Sequence, residues 1–154
     1  MANRRRESYP YIQEITDSVV AIRENDRHAH FQNPQRTIIR RILVDGGLIT
    51  EGIRADYVIS KPAIIDVIVE LKGSDTGRAM EQIRATRPIW ARHELAGQSA
   101  GALIVRGHGV HPKHLANIQR WKEKMRKHDG MVLIVETRNR EYGFDEFIWV
   151  RKDD

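Results

Sequence analysis

Asp56, thirteen intervening residues and then Glu70-Leu71-Lys72 supply two acids and a lysine at the ends of two segments that read as strands. Strand side chains alternate between faces, so Glu70 and Lys72 fall on one side while Leu71 points to the other. With Asp56 at the mouth of the preceding strand, the three groups can converge. Ionised groups at the end of a run as apolar as Ile64 to Leu71 are costly to remove from water unless they are paired or bound to metal. A hydrolytic site of oxygen ligands and one cation is the chemistry such a set suits. The bland alternative is that Asp56 satisfies Arg54 or a turn, while Glu70 and Lys72 form a solvent-exposed pair at a sheet edge.

The elements that must position these residues follow from pattern. Strands are expected at about 55 to 60 and 64 to 72, with Pro62 in the turn between them, where a missing N–H is tolerated. The near-continuous apolar character of the second marks a central strand covered on both faces. Gly73-Ser74-Asp75 offers a turn and an N-cap. Thr76 to His93 then reads as a helix that buries Met80, Ile83 and Ile89-Trp90, kinked or divided at Pro88. Upstream, Ile12, Ile15, Val19 and Ile22 fall near helical spacing and predict a helix over 11–24, although Val19 to Ile22 also suits a strand. Thr37 to Val44 followed by Asp45-Gly46-Gly47 predicts a strand pair around 37–50. Downstream, Ala102 to Val105 reads as a buried strand, Pro112 opens an amphipathic helix to about Lys127, and Met131 to Thr137 and Phe144 to Val150 read as closing strands. The expected order is αβββαβαββ, an α/β fold with a mixed central sheet flanked by helices.

The chain of 154 residues is long enough for one domain with a core. No repeat or linker divides it, so 11–154 is read as a single domain and 1–10 as a basic tail expected to be disordered. No apolar run approaches the roughly 20 residues of a membrane helix, and none follows the basic start, so a cytoplasmic location and no membrane partner are expected. There is no cysteine, which removes thiolate chemistry and leaves hard cations such as Mg2+ or Mn2+ as the metals to expect. A formal charge of +5 favours polyanionic partners. The helix from Lys113 to Lys127 carries Arg120, Lys122, Lys124, Arg126 and Lys127, interrupted by Glu123; it suits either a phosphate backbone or plain solvation.

An Asp followed by Glu-x-Lys within a strand hairpin, and then a helix, resembles the PD-(D/E)xK nuclease superfamily, whose core order is αβββαβ. Over roughly residues 12 to 106 the resemblance implies a restriction-endonuclease-like fold and a nuclease that hydrolyses DNA phosphodiesters. It further implies Asp56 and Glu70 as ligands of Mg2+ or Mn2+, with the Leu71 carbonyl as a further oxygen. Lys72 would assist the attacking water or the developing charge, and Gln82 resembles the glutamine that some branches place near the lysine. Ala55 replaces the proline of the family name, and Thr86 stands where one exonuclease-like branch has tyrosine. An acid from the first helix often joins the site; Glu14 and Glu24 are both candidates. A homodimer placing two sites on two strands is a further expectation, and a non-catalytic binding module on the same fold is the alternative.

Overall fold

The computed structural model describes residues 9–71, 75–107 and 112–149. In chain order it contains strands β1 (Ile12–Ile15), β2 (Val19–Glu24), β3 (Arg27–Gln32), β4 (Ile39–Leu43), β5 (Tyr57–Lys61) and β6 (Ile65–Glu70), then helix α1 (Thr76–Ala91) and strand β7 (Ala100–Val105). Helix α2 (Pro112–Lys124), a π turn over Met125–Asp129, β8 (Leu133–Glu136), β9 (Glu141–Tyr142) and a 3-10 turn over Phe144–Phe147 complete it. The architecture is α/β: a mixed six-stranded sheet ordered β1-β4-β5-β6-β7-β8, and a small sheet ordered β2-β3-β9.

Every residue of β6 and β7 is buried, as expected of strands covered on both sides. Alternation sends Ile68, Ala102 and Ile104 into a cluster under α1, with Met80, Ile83 and Trp90. Val67, Val69, Leu71, Leu103 and Val105 enter a second cluster on the other face, with Phe31, Tyr142, Phe144 and Phe147. β5 and β6 run antiparallel, whereas β6 and β7 are parallel and need a crossover, which α1 supplies. Asp75 caps α1 by accepting the Arg78 N–H at 3.2 Å. At the opposite end of β6, buried Asp66 receives the Ser60 hydroxyl at 2.5 Å, the Trp90 indole N–H at 2.8 Å and the Gly97 N–H at 2.8 Å. That carboxylate ties sheet to helix.

Several expectations are corrected. Residues 11–24 are not a helix but β1 and β2: Val20 and Ile22 are buried while Val19, Ala21 and Arg23 are exposed, a period of two. The strand pair around 37–50 is a single strand, because β1 and β5 occupy both edges of β4. The chain then turns through Gly46 at φ +83° and makes one isolated bridge, Asp45 to Ile49. Pro88 does not divide α1, which runs through it to Ala91; it lies on the exposed face, where water can satisfy the carbonyl its ring leaves unbonded. Ile89 is exposed as well, and only Trp90 of that pair is buried. Phe144 to Phe147 is a 3-10 turn rather than a strand, because the Glu146 carboxylate accepts the Gly143 N–H at 2.7 Å and closes the chain on itself. β3 and β9 were not anticipated. The first eight residues, with Arg4, Arg5 and Arg6, lie outside the described residues, as do Gly73, Ser74 and Val150.

Candidate active site

The β5–β6 register pairs Tyr57 with Val69 and Val58 with Ile68, so one step further Asp56 stands opposite Glu70. The Asp56 N–H donates to the Val69 carbonyl at 3.1 Å, and its carboxylate accepts the Leu71 N–H at 2.8 Å. Asp56 and Glu70 are 8% and 3% exposed, and their side chains are hydrogen-bonded to each other. A solvated edge pair is therefore excluded for Glu70, and Arg54 does not serve Asp56: its guanidinium donates to Asp45 at 2.8 Å and to the Gly52 carbonyl at 2.7 Å. Burial pushes the Asp56 carboxyl above the usual range, and the charges of Glu24 and Asp45 push the same way. The Leu71 N–H and the Glu70 hydrogen bond pull against them and are outweighed.

A cleft of about 470 Å3 opens on Asp56, lined also by Asp45, Arg54, Arg78, Glu81 and Gln82. It lies at the carboxyl end of β6, beside the start of α1, where α/β sheets commonly place their ligands. Gln82 donates from its amide to the Arg54 carbonyl at 3.2 Å, fixing the backbone that enters β5. Thr86, one turn on, works on the same segment: its hydroxyl accepts the Ala55 N–H at 2.8 Å and donates to the Gln82 carbonyl at 2.8 Å. Leu71 turns its side chain into the far cluster, leaving its backbone on the Asp56 side. Lys72 lies outside the described residues.

Of the two further acids, the structure separates Glu14 from the site. Glu14 pairs with Arg40 at 3.6 Å, and the register continues from Arg40 to Ser60 to Asp66, four residues along β6 from Glu70. That is about 13 Å at strand rise. Glu24 ends β2, at the base of a tight β2–β3 tip that turns through Asn25 at φ +51°. The tip reaches the carboxyl end of the central strands, since a Cβ on Gly107 would meet the Arg27 guanidinium at 2.5 Å. The Glu24 charge acts on both Asp56 and Tyr57. Neither acid comes from a helix. Among the described residues no three His, Asp or Glu side chains form a ready metal group. The buried pair nevertheless fits a hard cation in kind: its donors are all oxygen, and the two carboxylates lie side by side at the carboxyl end of β6.

The residues that sequence reasoning missed are Asp45, Arg78, Glu81 and the positioning hydroxyl of Thr86. Arg78 and Glu81 share with Gln82 the first turns of α1, and that spacing is the signal that could have found them. Comparison with protein families, curated proteins and solved structures gives no match for this chain, and the site's chemistry rests on its own geometry.

Proposed function

We propose that the chain is a metal-dependent nuclease of the PD-(D/E)xK kind, with a restriction-endonuclease-like core formed by β4, β5, β6, α1 and β7. The observation that carries the proposal is the buried contact of Asp56 with Glu70 at the carboxyl end of a central strand. The strand order supports it too: three antiparallel strands, a crossover helix and a parallel strand match the βββαβ part of that core. Its first helix has no counterpart among the described residues, where β1 and the β2–β3 hairpin stand instead.

Asp56 and Glu70 would hold Mg2+ or Mn2+, with the Leu71 carbonyl as a further oxygen donor. A cation bound there supplies polarisation of a phosphate oxygen and a water of lowered pKa. Lys72, next along the chain from Leu71, is assigned to the charge that builds on the phosphorus oxygens. Arg78 lines the same cleft and offers a cation to the incoming phosphodiester. Gln82 and Thr86 hold the carbonyl and the N–H of the single peptide between Arg54 and Ala55, and through it Asp56. DNA is the proposed substrate.

The test is cleavage of supercoiled, linear, single-stranded and branched DNA with Mg2+ or Mn2+, with Asp56→Ala, Glu70→Ala and Lys72→Ala purified in parallel. Loss of cleavage in all three supports the assignment, and unchanged cleavage in any of them removes that residue from it. A second reading, a binding module without turnover, draws on the lack of a three-acid group among the described residues. DNA binding without cleavage of any substrate would favour it.

A further inference from the structure

The outer side of α2 and its π turn is concave. A groove of about 400 Å3 is lined by Asn117, Arg120, Trp121, Lys124, Lys127 and His128, with Glu123 as its one acid. Arg120, Lys124, Lys127 and His128 are all exposed. They gather because residues 120, 124 and 127 recur at helical spacing, and because the π turn carries Lys127 and His128 round the same end of the helix. The floor is Trp121, half-buried, whose ring packs on the first turn of α1: a Cβ on Gly77 would lie 3.6 Å from it. The next residue, Arg78, lines the candidate active cleft. The indole of the basic groove thus touches the turn of α1 that sends Arg78 to the cleft at Asp56.

We infer that this groove is a docking tract for a polynucleotide backbone, which approaches along α2 and crosses Trp121 and the start of α1 to present a phosphodiester to the Asp56–Glu70 cleft. Charge selects the occupant: three fixed cations converge on a concavity against one carboxylate, which suits the evenly spaced phosphates of nucleic acid and penalises an acidic protein less regular in its charge. The delivery of the strand to the cleft rests on the nuclease reading; the binding does not.

The experiment measures binding of a labelled single strand and of the corresponding duplex in metal-free buffer with chelator, across a salt series. Lys124→Glu and Lys127→Glu are expected to weaken binding on the order of tenfold each and to flatten the salt dependence, since each removes a phosphate contact. Arg126→Glu changes charge equally on the exposed surface outside the groove lining and serves as the comparison; its effect is expected to be much smaller. Glu123→Gln should tighten binding. Thermal melts establish that each variant is folded, and Lys124→Gln and Lys127→Gln provide milder changes. Equal weakening by Arg126→Glu, unchanged binding in both lysine variants, or no binding by the unaltered protein at low salt would overturn the tract. The arm with the stronger binding identifies the strand form. The nuclease reading is judged separately: Asp56→Ala that binds normally but no longer cleaves supports it, whereas Asp56→Ala that still cleaves defeats it and leaves the groove standing on binding alone.

Discussion

Two carboxylates share a hydrogen bond only through a proton, so the contact of Asp56 with Glu70 requires one of them to be protonated when no metal is bound. Replacing Asp56 with asparagine isolates this. The amide oxygen still accepts the Leu71 N–H, and the amide nitrogen can donate to Glu70, so the contact no longer needs that proton. Asp56→Asn is expected to raise stability in metal-free buffer at neutral pH by about 1 kcal/mol, read by urea denaturation, and to abolish any stabilisation by Mn2+. A less stable variant would contradict the account. Thr86 carries the opposite expectation. It is fully buried and satisfies the Ala55 N–H, so Thr86→Val should cost about 1 to 3 kcal/mol, with Thr86→Ser recovering most of it. The acid pair was legible in sequence because strand alternation and the spacing of two adjacent strands suffice to bring it together. Thr86 was visible only as a missing tyrosine, because its bond to Ala55 joins residues 31 apart and no local pattern encodes that.

At the level of elements, the central segments were legible because their surroundings are uniform: β6 and β7 are buried throughout, so composition alone marks them. The hairpin of β2 and β3 was not. Its inner face is only Val20, Ile22, Ala29 and Phe31, and β3 interleaves these with arginine and histidines, which hides the alternation. One of those histidines, His28, gives the hairpin a pH response. The rings of His28 and His30 stack at 4.9 Å, and Arg23 faces His28 across the strand pair. Partial burial, then the neighbouring His30 and Arg23, hold the His28 imidazole below its ordinary pKa. The unfolded residue takes up its proton near pH 6.5, whereas the folded one does so only at lower pH. The contribution to stability is therefore complete above about pH 6.5 and is lost as pH falls through that value toward the folded pKa. Amide exchange in residues 19–32 should accelerate, relative to that in β6, between about pH 7.5 and pH 5.5 after correction for intrinsic rates, and His28→Gln should blunt the change. An unchanged ratio would show that the imidazole carries no such penalty. Because Glu24 ends β2, the same loosening is expected to reach the acids at the cleft.

Across the whole molecule, the acid pair depends on a layer it never touches. β6 can present Glu70 on one face only if its other face is held, and that face, Val67, Val69 and Leu71, is covered by Phe31, Phe144 and Phe147 beneath the sheet. The closing 3-10 turn is thus a second wall of the core rather than a trailing segment, which its strand-like composition concealed. Its seating depends on one glycine. A Cβ on Gly101 would fall 2.8 Å from the Phe147 Cβ and 3.2 Å from the ring, and Gly101 is registered against Val67 in the neighbouring central strand. Neither backbone can yield without disturbing the ladder between β6 and β7. Gly101→Ala is therefore expected to cost about 1 to 3 kcal/mol despite adding one methyl group to an extended residue. Phe147→Ala should cost about 3 to 5 kcal/mol by opening a cavity in the same place. Combined, the two should cost less than their sum: alanine at 147 keeps the Cβ that the new methyl meets at 2.8 Å but removes the ring atoms at 3.2 Å and beyond and leaves the turn room to shift. Urea denaturation of the two single variants and the double variant measures this directly. Strictly additive losses would mean that the turn does not brace the sheet through this contact. If the bracing holds, Gly101→Ala should also weaken the Mn2+ binding proposed for Asp56 and Glu70, although the substitution lies on the neighbouring strand and its strain falls on the opposite face of the sheet.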